Sequence, residues 1–240
     1  MNTRTHKKDS ARIVYDADCI RHPGMALFDP EFWQKQGAVA GVAAGRGRAL
    51  LLETEFGPAV LRQYLRGGWA ARVSRDRYAF SGYENSRPVR EYEVLEQLFA
   101  AGLPVPRPIA ALCAREGRFY RGWLMTRRIM DVLPLADVIG CPRDTPELWR
   151  DTGACIRRFH DFGAVHADLN ARNILVGESG IHLIDFDRSR LKKRDSRAFS
   201  ANLRRLHRSL QKVWPKTSRG RLERAWNALL AGYDMQREAA

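Results

Sequence analysis

A polar segment around residue 170 constrains the fold of this chain more than any other feature of the sequence. It contains His166 and Asp168, with Asn173 following five residues after the aspartate. A β-hairpin is predicted over 174–184, because two short apolar runs are separated there by turn-forming residues. An Asp-Phe-Asp sequence starting at Asp185 follows the second run. The hairpin is therefore expected to hold the His-x-Asp loop beside Asp185.

These residue types suit phosphoryl transfer, in which catalysis consists of positioning and charge neutralisation. Asp168 would orient an acceptor hydroxyl and take its proton. Asn173 and Asp185 would supply the hard oxygen ligands that Mg²⁺ prefers. The alternative is a polar loop with solvated acids, but the loop, the hairpin and the Asp-Phe-Asp sequence occur together in the expected order. The sequence therefore predicts a kinase-type site that uses ATP and Mg²⁺.

The remaining patterns predict an α+β protein with two lobes. Strands separated by turns are expected between Ala38 and Tyr64, and a helix is expected over 88–101, followed by two more strands. Beyond a linker the chain is expected to be mostly helical apart from the hairpin, with one helix that is capped by Thr145 and runs to about His160. We therefore predict an N-terminal lobe over 1–126, with an antiparallel sheet and one helix, and a C-terminal lobe over 127–240.

Composition excludes several classes of protein. Of the 240 residues 45% are hydrophobic, which is typical of a globular protein rather than a disordered one. No apolar run is long enough to span a membrane, and we expect no signal peptide because the N-terminus has no apolar core. The four cysteines are scattered, so neither a zinc motif nor a disulfide framework is predicted.

The positive charge is concentrated in the last quarter of the chain. The formal net charge is +14, and residues 188–240 hold 15 Lys and Arg against 4 Asp and Glu. Apolar residues recur there with helical spacing and predict two amphipathic helices. One helix would carry a basic face that consists of Arg204, Arg205, Arg208 and Lys212. This tail should attract an anionic partner, either a nucleic acid or an anionic membrane surface.

Roughly residues 30–235 resemble the 3-deoxy-D-manno-octulosonic acid (Kdo) kinase family, within the protein-kinase-like superfamily of lipopolysaccharide kinases. The stretches that carry the resemblance are AVLRQYLRGGWAARVSRDRYAF, SRPVREYEVLEQL, GLPVPRP, HADLNARNILV and IHLIDFDRS. The resemblance implies a bilobal protein-kinase-like fold and transfer of the ATP γ-phosphate to the 4-hydroxyl of Kdo on a lipid A precursor. It also implies a peripheral location at the cytoplasmic face of the inner membrane. The implied partners are that glycolipid and the anionic membrane surface, with no nucleic acid expected.

The resemblance also implies roles for residues of the polar segment. Asp168 matches the catalytic base, and Asn173 and Asp185 match the Mg²⁺ ligands. Asp187 stands where the superfamily has the glycine of Asp-Phe-Gly, so it is either a further metal-site acid or an ion-pair partner of a nearby arginine. His166 is expected to hold the loop by hydrogen bonds.

In the N-terminal lobe the resemblance implies a site for the phosphates of ATP. Gly45 and Gly47 match part of a glycine-rich turn, with a plain hairpin turn as the alternative. Glu91, in preference to Glu93, matches the helix glutamate that braces a phosphate-binding cation. That cation is usually lysine, but this chain has Arg62 at the position. The alternative is an exposed arginine of the strand, but a guanidinium can bind phosphate oxygens and pair with a carboxylate, so Arg62 is predicted to take the role of the lysine.

Two alternative functions remain open at the level of the sequence. The chain could be another lipopolysaccharide-core kinase, acting on heptose, or a small-molecule kinase. It could also be a nucleic-acid-binding protein with a degenerate kinase core, which the basic tail favours. The presence of Asp168, Asn173 and Asp185 together disfavours this last reading, since a binding module has no need of all three.

Overall fold

The structure is a computed structural model that describes residues 1–43, 49–65, 76–192 and 195–238. The chain divides into two compact units. The first comprises Met1–Ala100 and Pro106–Arg128, and the second comprises Ala101–Val105 and Ile129–Ala240. The predicted α+β class is confirmed: an antiparallel sheet occupies the N-terminal part and helices dominate the C-terminal part. The separate roles predicted for 1–126 and 127–240 stay a prediction.

The first unit contains an eight-stranded antiparallel sheet. Its strands are β1 (Thr3–Lys8), β2 (Ala11–Asp16), β3 (Val39–Ala43), β4 (Ala49–Leu52), β5 (Ala59–Gln63), β6 (Tyr78–Ala79), β7 (Pro108–Glu116) and β8 (Phe119–Arg127). They lie in the order β1-β2-β7-β8-β5-β4-β3, with β6 paired to β8. Two helices belong to this unit, α1 (Pro30–Lys35) and α2 (Arg87–Ala100).

The N-terminal hairpin of β1 and β2 was not expected from the sequence. β1 is a mostly exposed edge strand of polar residues, so it lacks the alternation by which a strand is recognised. β2 pairs with β7, which brings Asp16 close to Arg107 although they are 91 residues apart. The buried Asp16 carboxylate accepts a hydrogen bond from Arg107 Nε at 2.8 Å. The hydrogen bonds of this carboxylate therefore help to hold the N-terminal hairpin against β7.

Helix α2 packs on the sheet through one apolar stripe. Tyr92, Leu95 and Leu98 are buried, whereas Phe99 is 37% exposed. The helix approaches β8 closely at Gly122, where a Cβ atom would collide with the ring of Pro88. The helix is thereby seated against the sheet, and Glu91 lies on its buried side.

The second unit is mostly helical. Its elements are β9 (Val132–Pro134), α3 (Leu135–Val138), α4 (Pro146–Phe162), β10 (Ala164–Val165), β11 (Ile174–Gly177), β12 (Gly180–Leu183), β13 (Arg190–Leu191), α5 (Ser196–Val213) and α6 (Arg219–Glu238). The predicted hairpin is present as β11 and β12, which form a three-stranded sheet with β9. The short strand β13 interrupts a region that the sequence predicted to be helical.

Helix α4 leads the chain into the polar segment. The Thr145 side chain accepts a hydrogen bond from Leu148 N and caps the first turn, as its sequence predicts. Gly163 ends the helix with φ of 93°, a left-handed conformation that favours glycine. Within the helix, a Cβ atom at Gly153 would collide with the backbone of α6. A Cβ atom at Gly232 of α6 would collide with the backbone of α4 in the same way, so the two glycines allow the helices to touch.

A membrane span requires a helix that is both long and apolar. Over the ranges of the chain that the structure describes, none of the helices has the length and apolarity to cross a bilayer.

Candidate active site

The polar segment predicted to carry the chemistry is closed at its two ends. β10 precedes it and β13 follows it, and these strands pair antiparallel, with Val165 opposite Arg190. Just inside this pair, Ala167 N donates a hydrogen bond to Ser189 Oγ at 3.1 Å. The residues between the two strands therefore form a loop whose two ends are held together.

His166 organises the loop through both of its ring nitrogens. Asp168 N donates to His166 Nδ1 at 3.1 Å, and His166 Nε2 lies 3.0 Å from the carbonyl oxygen of Ile184. Because Nδ1 accepts, the ring is neutral and carries its proton on Nε2. Burial lowers the pKa of His166, which favours this neutral form. The predicted structural role of His166 is therefore confirmed.

The buried Asn202 of α5 holds His166 from the other side. Its Nδ2 donates to the His166 carbonyl at 2.8 Å, and its Oδ1 accepts from His166 N at 3.0 Å. Oδ1 also lies 3.4 Å from Nε2 of His160, whose Nδ1 is 2.7 Å from the Tyr233 hydroxyl. The Asn202 side chain thus satisfies both the backbone N–H and the backbone C=O of His166, the residue that positions Asp168.

Asp168 presents its carboxylate at the surface of the second unit, with the side chain 57% exposed. Oδ2 accepts a hydrogen bond from Asn170 Nδ2 at 3.1 Å, and Oδ1 accepts from Arg205 at 2.9 Å. A carboxylate has about four lone-pair positions, so both oxygens can still accept a hydrogen bond from an incoming hydroxyl. This exposure and this remaining capacity are what a group that takes a proton from a substrate needs.

Asn173 and Asp185 lie at the open end of the β11–β12 hairpin. Ile174 faces Leu183 in the ladder, and beyond this pair Ile184 N donates to the Asn173 carbonyl at 3.0 Å. The hairpin therefore brings Asn173 and the start of the Asp-Phe-Asp sequence to neighbouring positions, as predicted. Asp185 has φ of 63°, a left-handed conformation that costs a non-glycine residue about 1–3 kcal/mol and tends to occur at functional sites.

The side chains of these two residues suit a magnesium ion. Asn173 Nδ2 donates to the Asp168 carbonyl at 3.0 Å, which leaves the amide oxygen available to a cation. Asp185 adds a carboxylate, and Mg²⁺ is usually bound by one or two such protein oxygens together with phosphates and water. Across the described ranges, no group of three or more His, Cys, Asp or Glu side chains gathers as a metal site. The candidate ligands among these described residues are therefore Asn173 and Asp185 alone.

In the first unit, the structure joins the predicted Arg62 and Glu91. Arg62 extends from β5, and its guanidinium donates to both carboxylate oxygens of Glu91 on α2, at 2.6 and 2.7 Å. Tyr64 also donates its hydroxyl to Glu91. The Glu91 side chain is 1% exposed and that of Arg62 is 27% exposed. Glu91 therefore fixes a guanidinium that still reaches solvent, whereas Glu93, the second glutamate of the same helix, is exposed.

The predicted glycine turn falls outside the part of the chain that the structure describes. This holds for Gly45 and Gly47, and also for Gly67 and Gly68 of the stretch that follows β5. The roles predicted for Gly45 and Gly47 stay predictions.

Three residues of α5 that contact the polar segment were not recognised in the sequence. Asn202, Arg205 and Ser209 recur at spacings of three and four, so they share one side of the helix. Asn202 binds His166, Arg205 binds Asp168, and Ser209 Oγ accepts from Ala171 N at 3.1 Å. Arg205 was expected on the basic face and lies there, with its side chain 48% exposed, but it also pairs with Asp168. In the sequence, these three polar residues form a stripe beside the apolar stripe of Leu206 and Leu210, and this pattern could have indicated that they face the protein.

Comparison with known proteins gives the family. The model of the lipopolysaccharide kinase (Kdo/WaaP) family matches residues 30–233. A 3-deoxy-D-manno-octulosonic acid kinase of Xanthomonas euvesicatoria is 43% identical over 228 residues, covering 93% of this chain and 89% of the relative. The enzyme of the same description from Vibrio vulnificus is 37% identical over 227 residues, covering 94% of this chain and 96% of the relative.

The fold is also found among solved structures. The structure described as WaaP in complex with acyl carrier protein matches with a TM-score of 0.54 and 15% identity, covering 95% of this chain and 98% of the other. At that identity the match supports the fold alone. The family match over most of the chain, the two relatives and the arrangement of the polar segment agree, and the chain belongs to the lipopolysaccharide kinase (Kdo/WaaP) family.

Proposed function

We propose that this chain is a Kdo kinase, which transfers the γ-phosphate of ATP to the 4-hydroxyl of Kdo on a lipid A precursor. The observation that carries the proposal is the arrangement of Asp168, Asn173 and Asp185 on one segment, fixed by a hairpin and by the buried His166. Relatives described as Kdo kinases, at 37% and 43% identity over more than nine-tenths of the chain, support the acceptor.

Asp168 is the group that acts on the acceptor. Its carboxylate accepts a hydrogen bond from the sugar hydroxyl, which aligns the hydroxyl oxygen for attack on phosphorus, and then takes the proton as the new P–O bond forms. Asn170 holds the carboxylate at Oδ2, and His166 holds its backbone. A base fixed in this way loses little entropy when the acceptor binds.

Asn173 and Asp185 would hold Mg²⁺ through the amide oxygen and the carboxylate. When bound, the ion neutralises charge on the phosphates of ATP. The bond from Asn173 to the Asp168 carbonyl has a second consequence, because it ties one metal ligand to the backbone of the base. A change at either residue should therefore disturb the other.

Arg62 would bind a phosphate of ATP in the first unit. Its guanidinium has five N–H donors, so it can bind phosphate oxygens while it stays paired with Glu91. The buried Glu91 keeps the guanidinium in one orientation. In most members of the superfamily, a lysine ammonium group binds the phosphate at this position. We propose that Gly45 and Gly47 provide backbone N–H groups to the same phosphates.

The connection after Asp187 supports an acceptor smaller than a protein. Only eight residues separate Asp187 from the start of α5 at Ser196, and two of them form the strand β13. Such a connection leaves no room for the long segment on which protein kinases dock peptides. A sugar that forms part of a glycolipid fits this arrangement, and such an acceptor would place the protein peripherally at the cytoplasmic face of the inner membrane.

The acceptor is tested by direct comparison of products. The purified protein is incubated with ATP and Mg²⁺ and either a Kdo-bearing lipid A precursor or a heptose-bearing core acceptor, and the products are weighed by mass spectrometry. One added phosphate on the Kdo acceptor, located at its 4-hydroxyl, is the expected result. Phosphate on the heptose acceptor alone would replace the proposal with a heptose kinase, the alternative within the same family.

A further inference from the structure

The stripe of α5 that faces the polar segment contains one contact of a different kind from the others. Asn202 and Ser209 bind backbone groups of the loop, so they stabilise its path. Arg205, between them, binds the carboxylate of Asp168 at 2.9 Å instead. The side chains of Arg205 and Asp168 are 48% and 57% exposed. An ion pair this exposed adds little to stability, so the fold alone does not explain why an arginine lies against the base.

The position of the guanidinium brings it into the path of the acceptor. A sugar hydroxyl that donates to Asp168 must approach the same carboxylate that Arg205 already contacts. The rest of that sugar ring then lies beside Arg205. In Kdo the ring carbon next but one to the 4-hydroxyl carbon bears a carboxylate, so an anionic group accompanies the reacting hydroxyl into this position.

The charges around Arg205 favour such an anion. Helix α5 contains no acidic residue, and Arg204 and Arg208 on either side of Arg205 are exposed. Among the described residues, Asp168 is the one carboxylate paired with Arg205. A guanidinium forms paired, parallel hydrogen bonds with a carboxylate, which gives both affinity and orientation.

We propose that Arg205 recognises the carboxylate of the acceptor sugar, and that this contact orients the ring so that its 4-hydroxyl meets Asp168. In the free enzyme the guanidinium rests on Asp168, and in the complex it donates to the sugar carboxylate. The inference rests on the proposed Kdo kinase function and adds the group by which an acidic sugar is distinguished from a neutral one.

A simpler role predicts different behaviour. If Arg205 only braces Asp168, its removal should reduce turnover by the same factor for every acceptor. If Arg205 binds the sugar carboxylate, its removal should matter only for acceptors that carry this charge. If Arg205 instead binds a phosphate of the lipid A part, its removal should cause the same defect whether or not the sugar carboxylate is masked.

The experiment compares two acceptors, the Kdo-lipid A precursor and the same compound with its Kdo carboxylate converted to a methyl ester. The variants are Arg205→Gln, which removes the charge, and Arg205→Lys, which keeps the charge but loses the paired donors. Arg197→Gln is the matched control, since Arg197 is an exposed arginine of the same helix. Thermal melting confirms that each variant is folded, and KM for ATP reports on the nucleotide site.

With the natural acceptor, Arg205→Gln is expected to raise the acceptor KM about tenfold to a hundredfold, with KM for ATP changed less than about twofold. Arg205→Lys should lie between this variant and the wild type. With the ester, the wild type and Arg205→Gln should differ by less than about twofold. Equal losses on both acceptors, or no loss on the natural one, would overturn the inference while leaving the kinase function intact. A wild type that phosphorylates neither compound would instead refute the proposed function.

Discussion

At the scale of single residues, the contacts of the buried polar groups explain how the side chains of the candidate site are held. His166 and Glu91 are both buried, and each fixes a more exposed partner, Asp168 in one unit and Arg62 in the other. The sequence identified these residues by type and spacing. It could not identify Asn202, because an asparagine within a helix has no fixed meaning until its neighbours in space are known.

The Arg62–Glu91 pair gives a prediction for both stability and nucleotide binding. Arg62→Ala leaves the buried Glu91 carboxylate with less compensation, so the free energy of unfolding should fall by roughly 3 kcal/mol. If Arg62 binds a phosphate of ATP as proposed, KM for ATP should also rise at least about tenfold. Arg62→Lys should restore most of the stability and part of the ATP binding. Denaturant unfolding and steady-state kinetics measure the two effects, and an unchanged KM for ATP in Arg62→Ala would exclude Arg62 from the nucleotide site.

The buried His160 makes stability depend on pH. Burial lowers its pKa to about 4, from an ordinary value of 6.5. The unfolded chain therefore binds a proton at His160 before the folded chain does, so stability falls as pH decreases from about 6.5 to 4. The shift corresponds to about 3 kcal/mol over that interval. Unfolding measured across this pH range should show a shallower loss in His160→Gln than in the wild type, and an unaltered slope would contradict the assignment.

The exposed His22 supplies the control for this measurement. His22→Gln removes an exposed imidazole, and its unfolding curves serve as the reference for a histidine replaced at the surface.

At the scale of secondary-structure elements, local patterns predicted the parts that hold the site, and long-range contacts were beyond them. The β11–β12 hairpin and the start of α4 followed from turn residues and a capping threonine. The pairing of β10 with β13 did not, because each strand is two residues long. The polar strand β1 was missed for a similar reason, since its place is set by its partner β2.

The crossing of α4 and α6 is a further long-range feature with a testable consequence. Gly153→Ala adds a Cβ atom where the backbone of α6 already lies, so the helices must separate. Alanine favours a helix over glycine by about 1 kcal/mol, but overpacking costs about 1–3 kcal/mol. We expect a net loss of unfolding free energy, measured by chemical denaturation.

Gly220, in the first turn of α6, is the matched control for this substitution. The nearest atom to a Cβ built there is in the Arg224 side chain at 4.0 Å, so the space is open. Gly220→Ala should be neutral or slightly stabilising. If both alanine variants behave alike, close packing of α4 on α6 at Gly153 is not what requires the glycine.

At the scale of the whole molecule, the distribution of charge along the chain can be read directly from the sequence. Residues 188–240 carry most of the net charge of +14. Some of these cations have partners, as Arg205 does in Asp168 and Arg221 does in Asp144. Arg208 and Lys212 lie on α5, and both are exposed. We propose that this basic surface binds the anionic headgroups among which a glycolipid acceptor lies.

Sedimentation with lipid vesicles tests that surface. Binding should be stronger to vesicles with anionic phosphatidylglycerol than to neutral phosphatidylcholine, and it should weaken as salt is raised. Arg208→Gln with Lys212→Gln should weaken binding to the anionic vesicles about tenfold or more, at about 1 kcal/mol per charge. Lys7→Gln with Lys8→Gln removes two exposed charges elsewhere and serves as the control. Equal binding to neutral and anionic vesicles would rule the surface out.

The most direct test of the proposed phosphate transfer concerns Asp168 itself. Wild-type protein and Asp168→Asn are each incubated with ATP, Mg²⁺ and the Kdo-lipid A precursor, and phosphate transfer is followed by the mass of the glycolipid. The wild type should add one phosphate, and the variant should do so at least about a hundredfold more slowly, with nucleotide binding nearly unchanged. Near-normal transfer by Asp168→Asn would show that the base lies elsewhere.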